Sequence, residues 1–392
     1  MNILGTTAER RGFARIAAAG TCAVTCTGML VAGGLVAAPA SASIPGTFIT
    51  HESAAIPGSN ASYSLGSMAK GSKSVTAAVR YGIGKSTTSV IHNTAVLSTI
   101  AAGSKTAVWV GGYRYAANAY HPVILKRSGS KWSNVSLPAL GLNASITAMS
   151  ASSANNVWAV GNLPSTNGET SVVLHWNGKK WTAVNTTEPT GTLFSAVSTS
   201  GPNNAWAVAQ SGVVHWNGKA WSPFNQQFLV SQLSITTSGT NRAWMIGVTT
   251  GSNGLSQPYS ARYNGKKWVK VKTPKYYTST LLNLAMHGKS VWAVGYFLKS
   301  RTSSSETPLL LHSTGTSWHR VAAPKEGSGG DMVTVAATSS SRAIVMGQYL
   351  TGKGCTAKSH FLVYKVHGSK VKRASTRIEA AATPAVRNAP AC

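Results

Sequence analysis

Val157-Trp158-Ala159-Val160-Gly161, followed by Val172-Val173-Leu174-His175-Trp176-Asn177-Gly178-Lys179-Lys180-Trp181, decides the fold because it recurs. Ala205-Trp206-Ala207-Val208 precedes Val213-Val214-His215-Trp216-Asn217-Gly218-Lys219-Ala220-Trp221. Ala243-Trp244-Met245-Ile246-Gly247 precedes Tyr263-Asn264-Gly265-Lys266-Lys267-Trp268, and Val291-Trp292-Ala293-Val294-Gly295 precedes His312-Ser313-Thr314-Gly315-Thr316-Ser317-Trp318. Fainter copies flank these four. Upstream stand Val108-Trp109-Val110-Gly111-Gly112 and Gly129-Ser130-Lys131-Trp132; downstream stand Ala343-Ile344-Val345-Met346-Gly347 and Gly368-Ser369-Lys370-Val371. The first aromatic column is Trp109, Trp158, Trp206, Trp244 and Trp292, closed by Ile344, in steps of 49, 48, 38, 48 and 52 residues. A period of about 40–50 residues built from short β-type runs is the mark of propeller blades.

One period holds four such runs, at residues 145–150, 157–161, 172–176 and 181–184. Asn177-Gly178, Asn217-Gly218 and Asn264-Gly265 join the third run to the fourth, as pairs that supply the positive φ tight turns need. The Trp three residues after each Gly opens the fourth run and is placed to cover the hairpin. The expected fold is all-β: a seven-bladed β-propeller of four-stranded antiparallel blades, with six blades as the alternative. Six clear repeats run over about 95–373. Thr76-Ala77-Ala78-Val79-Arg80-Tyr81-Gly82 reads as the third strand and turn of a degenerate copy. A ring must leave no free edges, so the seventh blade is expected to be shared between the termini, with the tail 377–392 adding a strand.

Val110-Gly111-Gly112 with Trp132 resembles kelch-type and related secreted bacterial propeller repeats. The Asn-Gly-x-x-Trp turn is similar to the Asp-box of sialidase-like propellers, with Asn177, Asn217 and Asn264 in place of Asp. The resemblance covers about 95–373 and implies blade geometry rather than an activity. A sialidase-like hydrolase would need an arginine cluster, a Tyr nucleophile with a Glu partner, and an acid/base Asp that only Asp331 could supply. A kelch-type copper oxidase would need a free Cys355 for a Cys–Tyr crosslink.

The N-terminus reads as an export signal over 1–42. Arg10, Arg11 and Arg15 form a positive region, residues 16–38 carry no charge, and Ala40-Ser41-Ala42 is a small-residue cleavage site. Arg10-Arg11-Gly12-Phe13 resembles a twin-arginine signal; Glu9 stands where that signal has Ser or Thr, which leaves the Sec route open. The expected location is therefore outside the cell, with residues 43–392 as a single domain. The runs that follow are strand-sized, so no membrane span is expected after the signal is removed. Cys22 and Cys26 leave with the signal, and Cys355 and Cys392 are expected to pair in the oxidising exterior, pinning the tail.

Composition narrows the chemistry. Lys and Arg number 36 against 8 Asp and Glu, a formal charge of +28. Beyond residue 42 the acids are Asp331, Glu52, Glu169, Glu188, Glu306, Glu326 and Glu379. Paired-carboxylate catalysis and hard-cation sites thus have few residues to draw on. No GxSxG, HExxH or paired CxxC motif is present. The expectation is no catalytic residue, no metal and no cofactor. A strongly basic surface attracts polyanions, so an anionic polysaccharide or cell-wall polymer is the expected partner, a protein partner is the alternative, and no motif points to specific nucleic-acid binding. A monomer is expected.

The second-to-third loops (113–121, 162–171, 249–259, 296–308 and 348–360) and the inter-blade loop 272–280 share one face of a propeller. Several are aromatic and basic together. The candidate ligand-binding residues are Tyr113, Arg114, Tyr115, Tyr120 and His121; Lys275, Tyr276 and Tyr277; Tyr296, Lys299 and Arg301; and Tyr349 and Lys353. Aromatic rings stack on sugar faces while Lys and Arg pair with anionic groups. The reading is a secreted non-catalytic propeller that binds an anionic or glycan ligand; a glycan hydrolase, a copper oxidase or a protein-interaction scaffold are the alternatives. A basic-capable column, Lys126, His175, His215, Arg262, His312 and Lys365, also recurs before each turn. It reads either as a ring of charge or as a repeated hydrogen bond at the end of strand three.

Overall fold

The apolar runs of each repeat alternate with turn residues too closely for helices, and the chain resolves them into 28 strands with no helix among the described residues. The computed structural model describes residues 48–374 apart from 71–72, 83–85, 166–167, 187–192, 210–211, 225–230, 253, 304 and 353–357. The export-signal reading, the Cys355–Cys392 pairing and Lys353 fall outside these residues. Seven four-stranded sheets form, each with its strands in chain order and antiparallel, over residues 48–90, 96–134, 145–183, 194–223, 231–270, 278–320 and 329–373, here blades 1 to 7. The chain is a seven-bladed β-propeller. The first strands, Phe48–Ala55 in blade 1 and Gly329–Ala337 in blade 7 among them, pack side by side around a central channel of about 520 Å³.

All four strands of blade 1 come from residues 48–90, and the tail beyond 374 lies outside the described residues. Among the described residues the junction is made by side chains: Phe48, Ala77, Val79 and Tyr81 of blade 1 pack on Ile344, Met346, Phe361 and Val363 of blade 7. Phe48 and Phe361 meet edge-on at 5.1 Å.

The two Trp columns explain the other joints. The second-strand Trp of one blade meets the outer-strand Trp of the next edge-on: Trp158 with Trp221 at 5.1 Å, Trp206 with Trp268 at 5.3 Å and Trp244 with Trp318 at 5.0 Å. The outer Trp therefore seals the seam to the preceding blade as well as covering its own hairpin, where Trp181, Trp221 and Trp268 lie 5.9, 6.0 and 5.8 Å from Trp176, Trp216 and Tyr263. Edge-to-face pairing adds about 0.5–1.5 kcal/mol beyond the area each ring buries.

The basic-capable column belongs to the same seams. His175, His215 and His312 lie over Trp158, Trp206 and Trp292 at 4.3, 4.1 and 3.9 Å. Their Nε2 atoms bond Asn156 Oδ1 at 2.7 Å, Asn204 Oδ1 at 2.8 Å and the Ser290 hydroxyl at 2.6 Å. Burial lowers the pKa of all three. Three histidines, each in its own seam, make a repeated structural contact.

Every first strand carries a bulge, for example at His51, Ser98, Thr147 and Leu282. The extra residue pushes a carbonyl toward the second strand, and this is why the repeat ends in Gly. A Cβ at Gly161 would fall inside the van der Waals radius of the Ser145 carbonyl oxygen; at Gly295 it would meet that of Thr280. Blade 4 has Ala209 at this place. Gly161→Ala is expected to cost about 1–3 kcal/mol, read as a lowered midpoint in thermal denaturation.

The Asn-Gly turns differ from the expectation in one respect. Gly178, Gly218 and Gly265 have φ near +95°, but the Asn residues keep negative φ and act through their side chains. Asn177 Oδ1 accepts from the amides of Lys179 and Lys180 at 3.0 and 3.1 Å, and Asn217 and Asn264 repeat the pattern. Four residues separate paired Trp176 and Trp181, a loop too long for a primed two-residue turn.

Candidate functional site: the upper face

Antiparallel order puts the second-to-third hairpins and the inter-blade linkers on one face, here the upper, and the remaining turns on the lower. The residues expected in upper loops are largely strand. In blade 2 the strands Val108–Ala116 and Ala119–Ser128 leave a turn of only Ala117 and Asn118, with φ of 48° and 58°. Tyr113, Arg114, Tyr115, Tyr120 and His121 thus sit on a rigid hairpin. Likewise Tyr296 lies in Ser290–Leu298 and Tyr349 in Arg342–Thr351. The strands outrun the apolar core, and their polar and aromatic ends carry no hydrophobic period to mark them.

On the blade 2 hairpin, Tyr113 and Tyr115 share one side of their strand, and Tyr115 is registered with Tyr120. The Tyr120 ring lies 5.1 Å from Tyr113 and 5.3 Å from Tyr115. Burial, with the neighbouring Tyr120, pushes the Tyr113 phenol up. Tyr115 is 61% exposed, one of three large apolar or aromatic side chains so exposed among the described residues. Arg114 is exposed beside it, and His121 Nε2 lies 3.1 Å from the Ala116 carbonyl oxygen.

The other candidates gather on blades 5 to 7. Tyr276 lies on Phe297 at 4.1 Å, and Gln257 Nε2 donates to the Tyr277 carbonyl at 3.1 Å. Lys275, Lys299 and Arg301 are exposed around them. Tyr349 is committed elsewhere: it stacks on His360 at 4.9 Å, and its hydroxyl accepts from Arg373 at 2.9 Å, which also pairs with Glu326 at 3.0 Å. Blade 1 stands between blades 7 and 2 in the ring, so the candidates form two groups rather than one.

The sequence names Glu306 and Asp331 only among its few acids, and the ring brings them together between blades 6 and 7. Glu306 precedes a third strand and Asp331 follows the start of a first strand, and both positions map to the upper end. The Gly330 amide donates to the Glu306 carbonyl at 3.0 Å. Burial, then repulsion from Asp331, raises the Glu306 pKa to about 7. Burial raises Asp331 to about 6 against hydrogen bonds from Gln348 and the backbone, and its Oδ1 is buried without a hydrogen-bond partner. Burial, then the charges of Glu306 and Asp331, pushes the Tyr296 phenol up. Two buried carboxyls, both raised and repelling one another, beside a phenol are ingredients of acid–base chemistry. Among the described residues no group of three or more His, Cys, Asp or Glu could hold a metal ion.

No protein-family model matches the chain, and no curated protein matches it by sequence, so the kelch-type resemblance gains no family support. Solved structures match by architecture. YCF48 from Cyanidioschyzon merolae is 16% identical with a TM-score of 0.51, over 83% of this chain and 98% of that one. The β-propeller domain of the trilobed protease from Pyrococcus furiosus, described as having an open velcro topology, is 6% identical with a TM-score of 0.55, over 87% and 100%. A PL25 ulvan lyase bound to -[GlcA(1-4)Rha3S]- is 11% identical with a TM-score of 0.52, over 86% and 97%. At these identities the likeness is one of fold.

Proposed function

We propose that the protein is a secreted, non-catalytic binding propeller for an anionic glycan, held on its upper face. The observation that carries this reading is the three-tyrosine cluster of blade 2, fixed by a two-residue turn with Tyr115 presented to solvent. Rigid aromatic rings supply a stacking surface at little entropic cost, and a +28 chain supplies the attraction for acidic groups. That the similarly folded ulvan lyase carries a bound glucuronate- and sulfate-bearing glycan fits this substrate class.

Co-sedimentation of the chain with purified acidic polysaccharide and cell-wall fractions, across a salt series, tests it. Binding should survive moderate salt, and Tyr115→Ala should weaken it about 2–10-fold. Loss that tracks salt alone and ignores Tyr115 would leave only charge attraction, and no binding would end the reading.

The Glu306–Asp331 pair favours a second reading, an enzyme cutting such a glycan. Chain shortening in the same incubations, abolished by Glu306→Gln and by Asp331→Asn, would replace the binding reading with that one.

A further inference from the structure

The charges of the molecule are segregated between its two faces. The first-to-second and third-to-fourth turns, which form the lower face, contain no Asp or Glu. They present exposed Lys105, Lys179, Lys219, Arg242, Lys266 and Lys289 from successive blades. Glu306, Glu326 and Asp331 all lie toward the upper face, and Glu52 is in the wall of the channel.

The lower face also opens at one seam. Elsewhere a second-strand aromatic, its third-strand neighbour and the next blade fill the space between blades, as Trp158, His175 and Trp221 do. Between blades 7 and 1 the corresponding residues are Ile344, Lys365 and Ser86. With no tryptophan to fill it, the seam holds a cleft of about 670 Å³. Asn60 and Gly82 line it from blade 1; Arg342, Lys365, Lys370 and Lys372 line it from blade 7 with His367. Arg342, His367 and Lys370 stand in one cross-strand row, and Ile344, Lys365 and Lys372 in the next. Cations at alternate positions along an outer strand are about 6.6–6.8 Å apart, a ladder suited to a chain of repeating negative charges. Arg373, at the rim, already has Glu326 as its partner.

We propose that the lower face binds a linear, phosphate-bearing polyanion that threads into the cleft between blades 7 and 1. The turns offer polar and cationic tips without Trp, Phe or Leu to enter a bilayer, which argues against a lipid surface. The cleft offers no Trp, Tyr or Phe ring for a base to stack on, which argues against nucleic acid. The site lies on the face opposite the tyrosine cluster and is independent of the upper-face reading.

Long-chain inorganic polyphosphate is the probe, with the whole exported chain, titrated by calorimetry over a salt series. Binding should persist near physiological salt. Lys365→Gln with Lys370→Gln should lower affinity about tenfold and reduce the slope of log K against log salt by about 2. Both side chains are exposed, so the double variant should keep the parent's melting temperature. Lys272→Gln with Lys358→Gln, toward the upper face, is the control and should leave affinity within about twofold. Equal losses from both pairs would overturn the proposal in favour of diffuse charge. Tighter binding to anionic phosphatidylglycerol vesicles or to single-stranded DNA than to polyphosphate would overturn the assigned ligand class, and no binding near physiological salt would overturn the site.

Discussion

Trp206→Ala is expected to be the most damaging single substitution in the ring, costing about 3–5 kcal/mol. Trp206 is fully buried in the seam between blades 4 and 5. It touches His215 at 4.1 Å, Tyr263 at 4.8 Å, Trp268 at 5.3 Å and Phe224 at 5.5 Å. Removing the indole empties the centre of that cluster, and the surrounding rings belong to two sheets whose backbones cannot both move inward. The loss has a cavity component as well as a transfer component. A fall in melting temperature on the order of 10 °C by calorimetry is the expected reading. A fall no larger than that of an exposed-turn substitution such as Lys219→Ala would mean that the tryptophan columns do not hold the blades together.

Glu52→Gln is expected to do the reverse and stabilise the protein at alkaline pH. Glu52 follows the bulge of the first innermost strand, and its Oε2 accepts from the Ile100 amide of the next blade at 2.9 Å. Protein surrounds the carboxyl, while its channel side keeps some contact with solvent. Burial raises its pKa from 4.5 to about 7, and hydrogen bonds from Thr99 and Ile100 offset only part of that. The folded state therefore holds the proton more tightly than the unfolded chain does. Below pH 4.5 both states are protonated and the carboxyl is neutral in the balance; as pH climbs from 4.5 to 7 the folded state loses ground; above 7 the full penalty is present. The penalty is of order 2–3 kcal/mol. Glutamine keeps the acceptor and cannot ionise, so the variant should equal the parent near pH 4 and exceed it by that margin at pH 8. The histidines with lowered pKa act with the opposite sign in an overlapping window. The difference between variant and parent, by denaturant titration at each pH, isolates Glu52. A constant difference across the range would show that the carboxyl is as well solvated when folded as when unfolded.

The blade count, the strand order and the seam tryptophans were legible because each repeats about every 47 residues, and repetition survives without knowledge of the third dimension. The tryptophans' partners were not legible, because Trp158 and Trp221 belong to different repeats and meet only when the ring closes. The hairpin strands around Tyr113 and Tyr296 were read as loops for want of a hydrophobic alternation. The meeting of Glu306 and Asp331 depends on the upper-end register of two consecutive blades. Once a propeller is assumed, that register is itself a usable signal: an acid opening a third strand and an acid opening the next first strand should be neighbours.

A propeller whose last sheet borrows a strand from its first is buckled by backbone hydrogen bonds. Here, among the described residues, the corresponding joint is held by the side chains of Phe48, Tyr81, Phe361 and their neighbours. In its described residues the ring is thus a split washer whose ends are pressed together by side chains. Its seven joints are alike in topology and differ only in how well side chains fill them. Heat or tension should part the one without a tryptophan first, and the lysine-lined edge of blade 7 then becomes the lip at which the ring gapes.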